Sequence, residues 1–323
     1  MVSQLDILTF HRIMPKGEKY FIPPMAMDVG TFTRLVERLV AAGRVVDLQE
    51  GIRLLRHGGM RGRKVAITFD DGYLDNFELA REVLLRVGAP ATFFVPVTPV
   101  DKQIVYWWDH LCDVVSRENQ IFFKWVLSRS NPATLNDSLE KAALPQSGTL
   151  GGRCRMLVQA INSLGEQDRK SFLGDLADEF GPYQAARLLM NWDELHQMQK
   201  EGFSIGSHSV SHIPLTDLDP QAARYEIAAS ADLLEDRLGH RPVGFCYPRG
   251  AYDQAHAQMV KDCGYEYAVT TRFGGNGPGA DSFALNRRNM ADFHGVRARF
   301  PVMMHMLELS GWLDGLLALR RTA

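Results

Sequence analysis

The chain has 323 residues, 46% of them hydrophobic and 23% charged, and a formal net charge of −2 at pH 7. These proportions are those of a folded globular protein, and the balanced charge offers no basic face for nucleic acid. The length exceeds the usual single core, although α/β barrels reach it as one domain. Cys112, Cys154, Cys246 and Cys263 are scattered without a CxxC pair, which suits reduced thiols better than disulfides or a Cys-built zinc site. No stretch approaches the length of a membrane span. Asp6, His11 and Arg12 interrupt the first residues before any signal-like apolar run, so the expected setting is cytoplasmic.

Residues 5–13 read as a first strand with His11 near its carboxyl end. A lone strand histidine is structural unless a neighbouring strand gives it chemical company. Asp28 then precedes a helix from Thr31, with Phe32, Leu35, Val36, Leu39 and Val40 on one face and Gly43 at its end. Val45-Val46 suggests a short strand and residues 48–55 another helix. Gly58-Gly59 and the basic run 61–64 read as a solvated loop.

Residues 65–73, Val-Ala-Ile-Thr-Phe-Asp-Asp-Gly-Tyr, organise the chain. The first five form a buried strand that stops at two carboxylates, Asp70 and Asp71. Asp75 or Asn76 is placed to cap a helix through Phe77, Leu79, Ala80, Val83, Leu84 and Leu85. That order sets both carboxylates at the carboxyl end of a strand, where α/β folds build active sites. Adjacent like charges in a cleft call for a positive partner. A divalent cation would be bound by one Asp and leave the other to handle protons. The competing reading is an Asp-Asp-Gly turn. Residues 91–97 give a second buried strand, and strand–helix–strand implies a parallel pair. That pair excludes an all-β architecture without separating a barrel from an open sheet.

From 101 to 199 strand signals nearly vanish, and helices are expected at 107–115, 122–127, 156–164 and 172–180. This block reads as a helical cap inserted into the core. Trp107 and Trp108 either anchor it or stack on a sugar ring. Residues 203–212, Phe-Ser-Ile-Gly-Ser-His-Ser-Val-Ser-His, resume the strands. His208 and His212 stand four apart, a spacing that puts both imidazoles on one side of a helical turn. With a carboxylate they would form a three-ligand cation site with an open position. After a helix over 220–238, residues 243–253 form a strand entering a turn at Pro248, Arg249 and Gly250. A free amide in that turn could serve an oxyanion.

Thr68-Phe-Asp-Asp-Gly72, Ser207-His-Ser-Val-Ser-His212 and the Pro248-Arg-Gly250 turn together resemble the motifs of the polysaccharide deacetylase family, the NodB-homology or carbohydrate esterase family 4 group. The resemblance implies a distorted (β/α)₇, TIM-like barrel over 1–323 as one catalytic domain, with 101–199 as its helical insertion. It implies Asp70 as catalytic base and Asp71, His208 and His212 as metal ligands. Arg287 would orient the base, with Arg288 as a rival, and Arg249 stands where well-known members carry Tyr. A late Leu-x-His motif has no clean counterpart, and His305 in an amphipathic stretch at 302–317 reads as structural. In the branch resembling exopolysaccharide deacetylases a histidine on the first strand serves instead, and His11 matches it. The implied activity is metal-dependent removal of N-acetyl groups from an amino sugar or glycan precursor. Zn2+ is the expected ion, with Co2+, Ni2+ or Fe2+ fitting the same ligands. The rivals are a deformylase, an O-deacetylase or another hydrolase on the same scaffold, and an inactive carbohydrate-binding protein.

Overall fold

The computed structural model describes residues 3–16, 25–129, 149–184, 186–291 and 300–310. In chain order its strands are β1 (Gln4–Phe10), β2 (Arg12–Met14), β3 (Ala26–Asp28), β4 (Arg63–Phe69), β5 (Thr92–Val95), β6 (Ser204–Ser207), β7 (Gly244–Cys246), β8 (Tyr267–Phe273) and β9 (Leu285–Asn289). Seven of them close a barrel in the order β1-β4-β5-β6-β7-β8-β9, and every neighbouring pair in it is parallel. Parallel neighbours need crossovers. The helices Val29–Ala41, Arg81–Val87, Trp192–Lys200, Pro220–Leu238 and Gln254–Asp262 lie in those connections. The architecture is therefore the (β/α)₇ barrel expected from the motifs.

The chain forms two compact units: Met1–Met14, Met27–Ile104 and Leu188–Ala323 make the barrel unit, and Pro15–Ala26 with Val105–Arg187 the other. In the barrel unit, apolar side chains of the strands pack against the helices. Phe69 stacks on Phe93 with centroids 4.7 Å apart, and Phe10 and Phe32 meet edge to face at 5.1 Å. Inside the ring, space is tight at Gly206: an added Cβ would lie 2.5 Å from the Phe94 ring. The second unit consists of helices Trp107–Arg117, Asn119–Leu127, Leu150–Asn162 and Glu166–Phe180, with Leu111, Phe122, Leu157, Ile161 and Leu176 in its own core. Trp107 packs against that core, while Trp108 stacks on Tyr106 at 4.7 Å.

Several local expectations change. The first strand ends at Phe10, and the backbone leaves the barrel at His11 before the short β2. Val45 makes only an isolated bridge to Val65. Arg63 and Lys64 belong to β4 rather than a loop, because polar partners at the strand's start take their heads: Arg63 Nε reaches Asp6 at 3.4 Å and Lys64 Nζ the Gly43 carbonyl at 2.7 Å. The helix Leu150–Asn162 begins and ends before the expected 156–164. Neither Asp75 nor Asn76 caps a helix through its side chain. Both turn back to the segment after β1, and a π-helical turn, Asn76–Ala80, leads into Arg81–Val87. The last described helix is Pro301–Glu308, so the end of the amphipathic stretch at 302–317 lies outside the described residues.

Candidate active site

β4 carries Asp70 and Asp71 out of the carboxyl end of the barrel. The Asp70 amide donates to the Phe10 carbonyl at 3.0 Å, extending the β1–β4 pairing by one bond. Asp71 then adopts a left-handed backbone with φ 72°, and the two neighbouring carboxylates face different partners. Asp70, 2% exposed, is clamped by Arg287: Nη1 to Oδ1 at 2.8 Å and Nη2 to Oδ2 at 2.7 Å. Arg287 is itself oriented by donation from Nε to the Thr270 carbonyl at 2.7 Å. Arg288, the rival in sequence, instead gives its Nε to Asp6 at 2.9 Å. The reason is the alternation of β9: successive residues point to opposite faces, so only one arginine can meet Asp70. Burial pushes the Asp70 carboxyl up, yet the Arg287 guanidinium outweighs it and leaves the group below the usual carboxylate range.

His208 and His212 follow β6, but not on a helical turn. They sit on a loop in which Ser209 and His212 are left-handed, with φ 66° and 63°. The loop still brings the rings together, centroids 4.7 Å apart. Asp71 Oδ1 lies 3.4 Å from His208 Nε2 and 3.2 Å from His212 Nε2. Asp71 and His208 are 3% and 2% exposed, and His212 is half-buried. His208 Nδ1 is 2.8 Å from the Cys246 carbonyl. A carbonyl only accepts, so Nδ1 holds its proton there and Nε2 is the atom turned to Asp71. Burial works against the charge on Asp71, but hydrogen bonds from the two imidazoles hold it well below its ordinary value. Burial lowers His212 despite that carboxylate.

These three atoms fit a cation. Ligand atoms about 2.0–2.1 Å from a tetrahedral ion lie about 3.3–3.4 Å apart, close to the 3.4 and 3.2 Å that separate Asp71 Oδ1 from the two Nε2 atoms. Asp71, His208 and His212 accordingly form a group whose ligand atoms all fall within 4.8 Å of one another.

His11 stands at the end of β1, beside β4. It is close enough for its charge to act on both Asp70 and Asp71. Its carbonyl accepts from Asn76 Nδ2 at 2.9 Å, and Asp75 accepts the Ile13 amide at 3.0 Å and Arg12 Nε at 2.8 Å. Asp75 and Asn76, just past the two aspartates, thus hold the backbone of residues 11–13. Arg249 occupies the turn after β7 with φ 57°, its side chain exposed. His305 is buried at 1% on the helix Pro301–Glu308, which packs against Val29–Ala41; it is not in the cation-ligand group.

Sequence reasoning passed over Cys246. Its thiol lies 3.5 Å from Asp70 Oδ2, 3.2 Å from Arg287 Nη2 and 4.0 Å from His208 Nε2. Burial raises it, so it is a neutral thiol at neutral pH. Its place at the last position of β7, one residue before the Tyr-Pro-Arg-Gly turn, was the available signal.

The comparisons agree with this geometry. Residues 172–268, which include both histidines and the Pro-Arg-Gly turn, match the sequence model described as Polysaccharide deacetylase. YxkH of Bacillus subtilis (strain 168), a protein bearing a polysaccharide deacetylase name, is 30% identical over 95 residues. That alignment covers 29% of this chain, and the chain spans about a third (34%) of that relative's length. Among solved structures, the Streptococcus pyogenes deacetylase PplD superposes with a TM-score of 0.60 at 17% identity, covering 94% of this chain and 99% of that one. IcaB from Ammonifex degensii gives a TM-score of 0.57 at 18% identity, with 93% and 96% covered. At such identities the superpositions show the shared fold. Residues 172–268 thus match the polysaccharide deacetylase sequence model, and the closed parallel barrel around them is the fold shared with these deacetylase structures.

Proposed function

We propose that the chain is a metal-dependent deacetylase that removes N-acetyl groups from an amino sugar of a glycan or glycan precursor. One observation carries the reading: Asp71, His208 and His212 converge on a single point beside a carboxylate held ionised by Arg287. A divalent cation there would polarise the acetamide carbonyl and bring a water within reach of deprotonation near neutral pH. Asp71, His208 and His212 would hold it; zinc suits one carboxylate and two imidazoles, and cobalt, nickel or iron fit the same donors. Asp70 accepts the proton of the attacking water, and Arg287 keeps that carboxylate in one orientation. The amide of Arg249 donates to the oxygen that gains charge as the carbonyl carbon becomes tetrahedral. His11 gives a proton to the departing nitrogen, since an amine leaves poorly as an anion. That requirement favours an amide over an ester substrate.

The PplD structure is described as a complex with acetate, the acid such a reaction would release. Among the described residues no helix is long and apolar enough to cross a membrane. Cytoplasmic residence, to be tested by fractionation, would favour a nucleotide-linked, lipid-linked or small soluble amino sugar over finished cell wall. The deciding experiment measures acetate release from a panel of N-acetylated sugars and oligosaccharides, with metal content recorded on the same sample. Metal-dependent release supports the reading. Bound metal without release from any member of the panel would favour a carbohydrate-binding protein instead.

A further inference from the structure

We infer that Glu226, on the helix Pro220–Leu238, is the positioning residue of the loop that carries His208 and His212. This inference rests on the reading that Asp71, His208 and His212 bind a divalent cation. Glu226 is a buried carboxylate, 7% exposed. Its Oε2 accepts two consecutive loop amides, Val210 at 2.9 Å and Ser211 at 2.8 Å, and its Oε1 accepts the Ser211 hydroxyl at 2.5 Å. All three bonds go to the segment between the two histidines.

The loop needs such a clamp because of its own dihedrals. Ser209 and His212 both have φ above 60°, a region that residues with a Cβ occupy only when their surroundings over-determine it. One helical turn beyond Glu226, Ser230 Oγ accepts from Ser207 Oγ at 2.7 Å. Ser207 Oγ in turn takes the Ser209 amide at 3.3 Å, and Ser209 Oγ takes the His212 amide at 3.0 Å. Residues i and i+4 share a helix face, so a single face of Pro220–Leu238 fixes the loop at two points. On its other edge the loop gives the carbonyls of Ser209 and Val210 to the amides of Val97 and Thr98, at 3.2 and 2.7 Å. Those contacts leave the Val210 and Ser211 amides to Glu226. Without that carboxylate both amides lose their acceptor, and the segment between the histidines is released toward ordinary dihedrals. The two Nε2 atoms then move apart, and the cation loses its fixed set of donors.

The test titrates Co2+ into the metal-stripped full chain, reading affinity by calorimetry and geometry from the visible d–d bands. Groups that orient metal ligands typically change affinity about 10- to 100-fold when removed. Glu226→Ala is expected to weaken Co2+ by that amount and to shift the bands, with far-UV circular dichroism unchanged. Glu226→Gln retains a carbonyl oxygen for both amides and is expected to stay within about threefold of wild type, since acceptor geometry is kept. If Glu226→Ala does not fold, Glu226→Met replaces it, keeping the chain length and helix propensity while removing the acceptors. Wild-type affinity and bands in the Ala or Met variant would overturn the inference. A Gln variant as weak as the Ala variant would also overturn it. Wild-type protein that takes up no Co2+ would refute the cation reading itself and this inference with it.

Discussion

Replacing Arg287 by Met removes the partner of a deeply buried carboxylate. Asp70 and Arg287 are each 2% exposed, and two hydrogen bonds of 2.8 and 2.7 Å join them. Breaking a buried pair on one side costs about 3–5 kcal/mol, because the remaining charge is uncompensated. The cost must depend on pH. In the wild type Asp70 lies below its ordinary value, burial being outweighed by Arg287. Its contribution is therefore complete above the unfolded value of about 3.9 and lost only as pH falls through the lower folded value. In Arg287→Met burial acts without that opponent and raises the carboxyl. The folded state then holds a proton that the unfolded state releases, and stability falls as pH rises through the window between the two values, by up to about 1.4 kcal/mol per unit. Hydrogen exchange of β4 and β9 peptides at pH 5 and pH 7, on metal-free protein, reads the barrel unit separately from the helical one. Equal destabilisation at the two pH values, or a loss below about 1 kcal/mol at pH 7, would refute the reasoning. Asp70→Asn in the same background should recover most of the loss.

Three further outcomes follow from the same geometry. Asp70→Asn should lower kcat by about 10²–10⁴-fold, the usual range for a proton-transfer group, while elemental analysis finds the metal still bound. Burial opposes charge on His208, but the hydrogen bond to Asp71 and the nearby Asp70 carboxylate outweigh it and raise the imidazole well above its ordinary value in the cation-free chain; binding must displace that proton, so Co2+ affinity should fall about tenfold per pH unit of acidification, with about one proton released per ion in calorimetry across two buffers. Gly206→Ala should destabilise the barrel by about 1–3 kcal/mol in urea unfolding, because its Cβ would sit 2.5 Å from the buried Phe94 ring.

The strands that were legible in sequence are those whose burial is apolar. β4 and β5 read as buried strands because Val65, Ile67, Phe69, Phe93 and Val95 fill the space between barrel and helices. β9 carried no such signal: its five residues are Leu-Asn-Arg-Arg-Asn, and two of them are among the largest fully buried side chains. Their burial depends on Asp70 and Asp6, more than two hundred residues away in sequence, so no local pattern marks the strand. Barrel closure rests on β9, through Leu8 against Arg288 and Thr9 against Asn289. An open sheet and a barrel were therefore indistinguishable from periodicity, and the motif resemblance decided between them.

The site was legible in its residue types and not in its backbone. Among the described residues, five without glycine's freedom have positive φ, and four of them, Asp71, Ser209, His212 and Arg249, lie on loops at the carboxyl ends of β4, β6 and β7. The fifth, Gln103, ends a helix. Left-handed turns are usually announced by Gly or Asn; here each position is occupied by a residue with its own contact or proposed task. That is why the four-residue histidine spacing reads as a helical turn although the chain makes a strained loop. Such conformations cost on the order of 1–3 kcal/mol each and persist only where the surroundings fix them. At Asp71 the dihedral has a visible consequence: it parts two adjacent carboxylates, leaving one against Arg287 and turning the other to the imidazoles. Glycine at Asp71 or His212 would relieve the strain and delete a donor in the same change. Strain relief and loss of the cation site are thus inseparable at these positions.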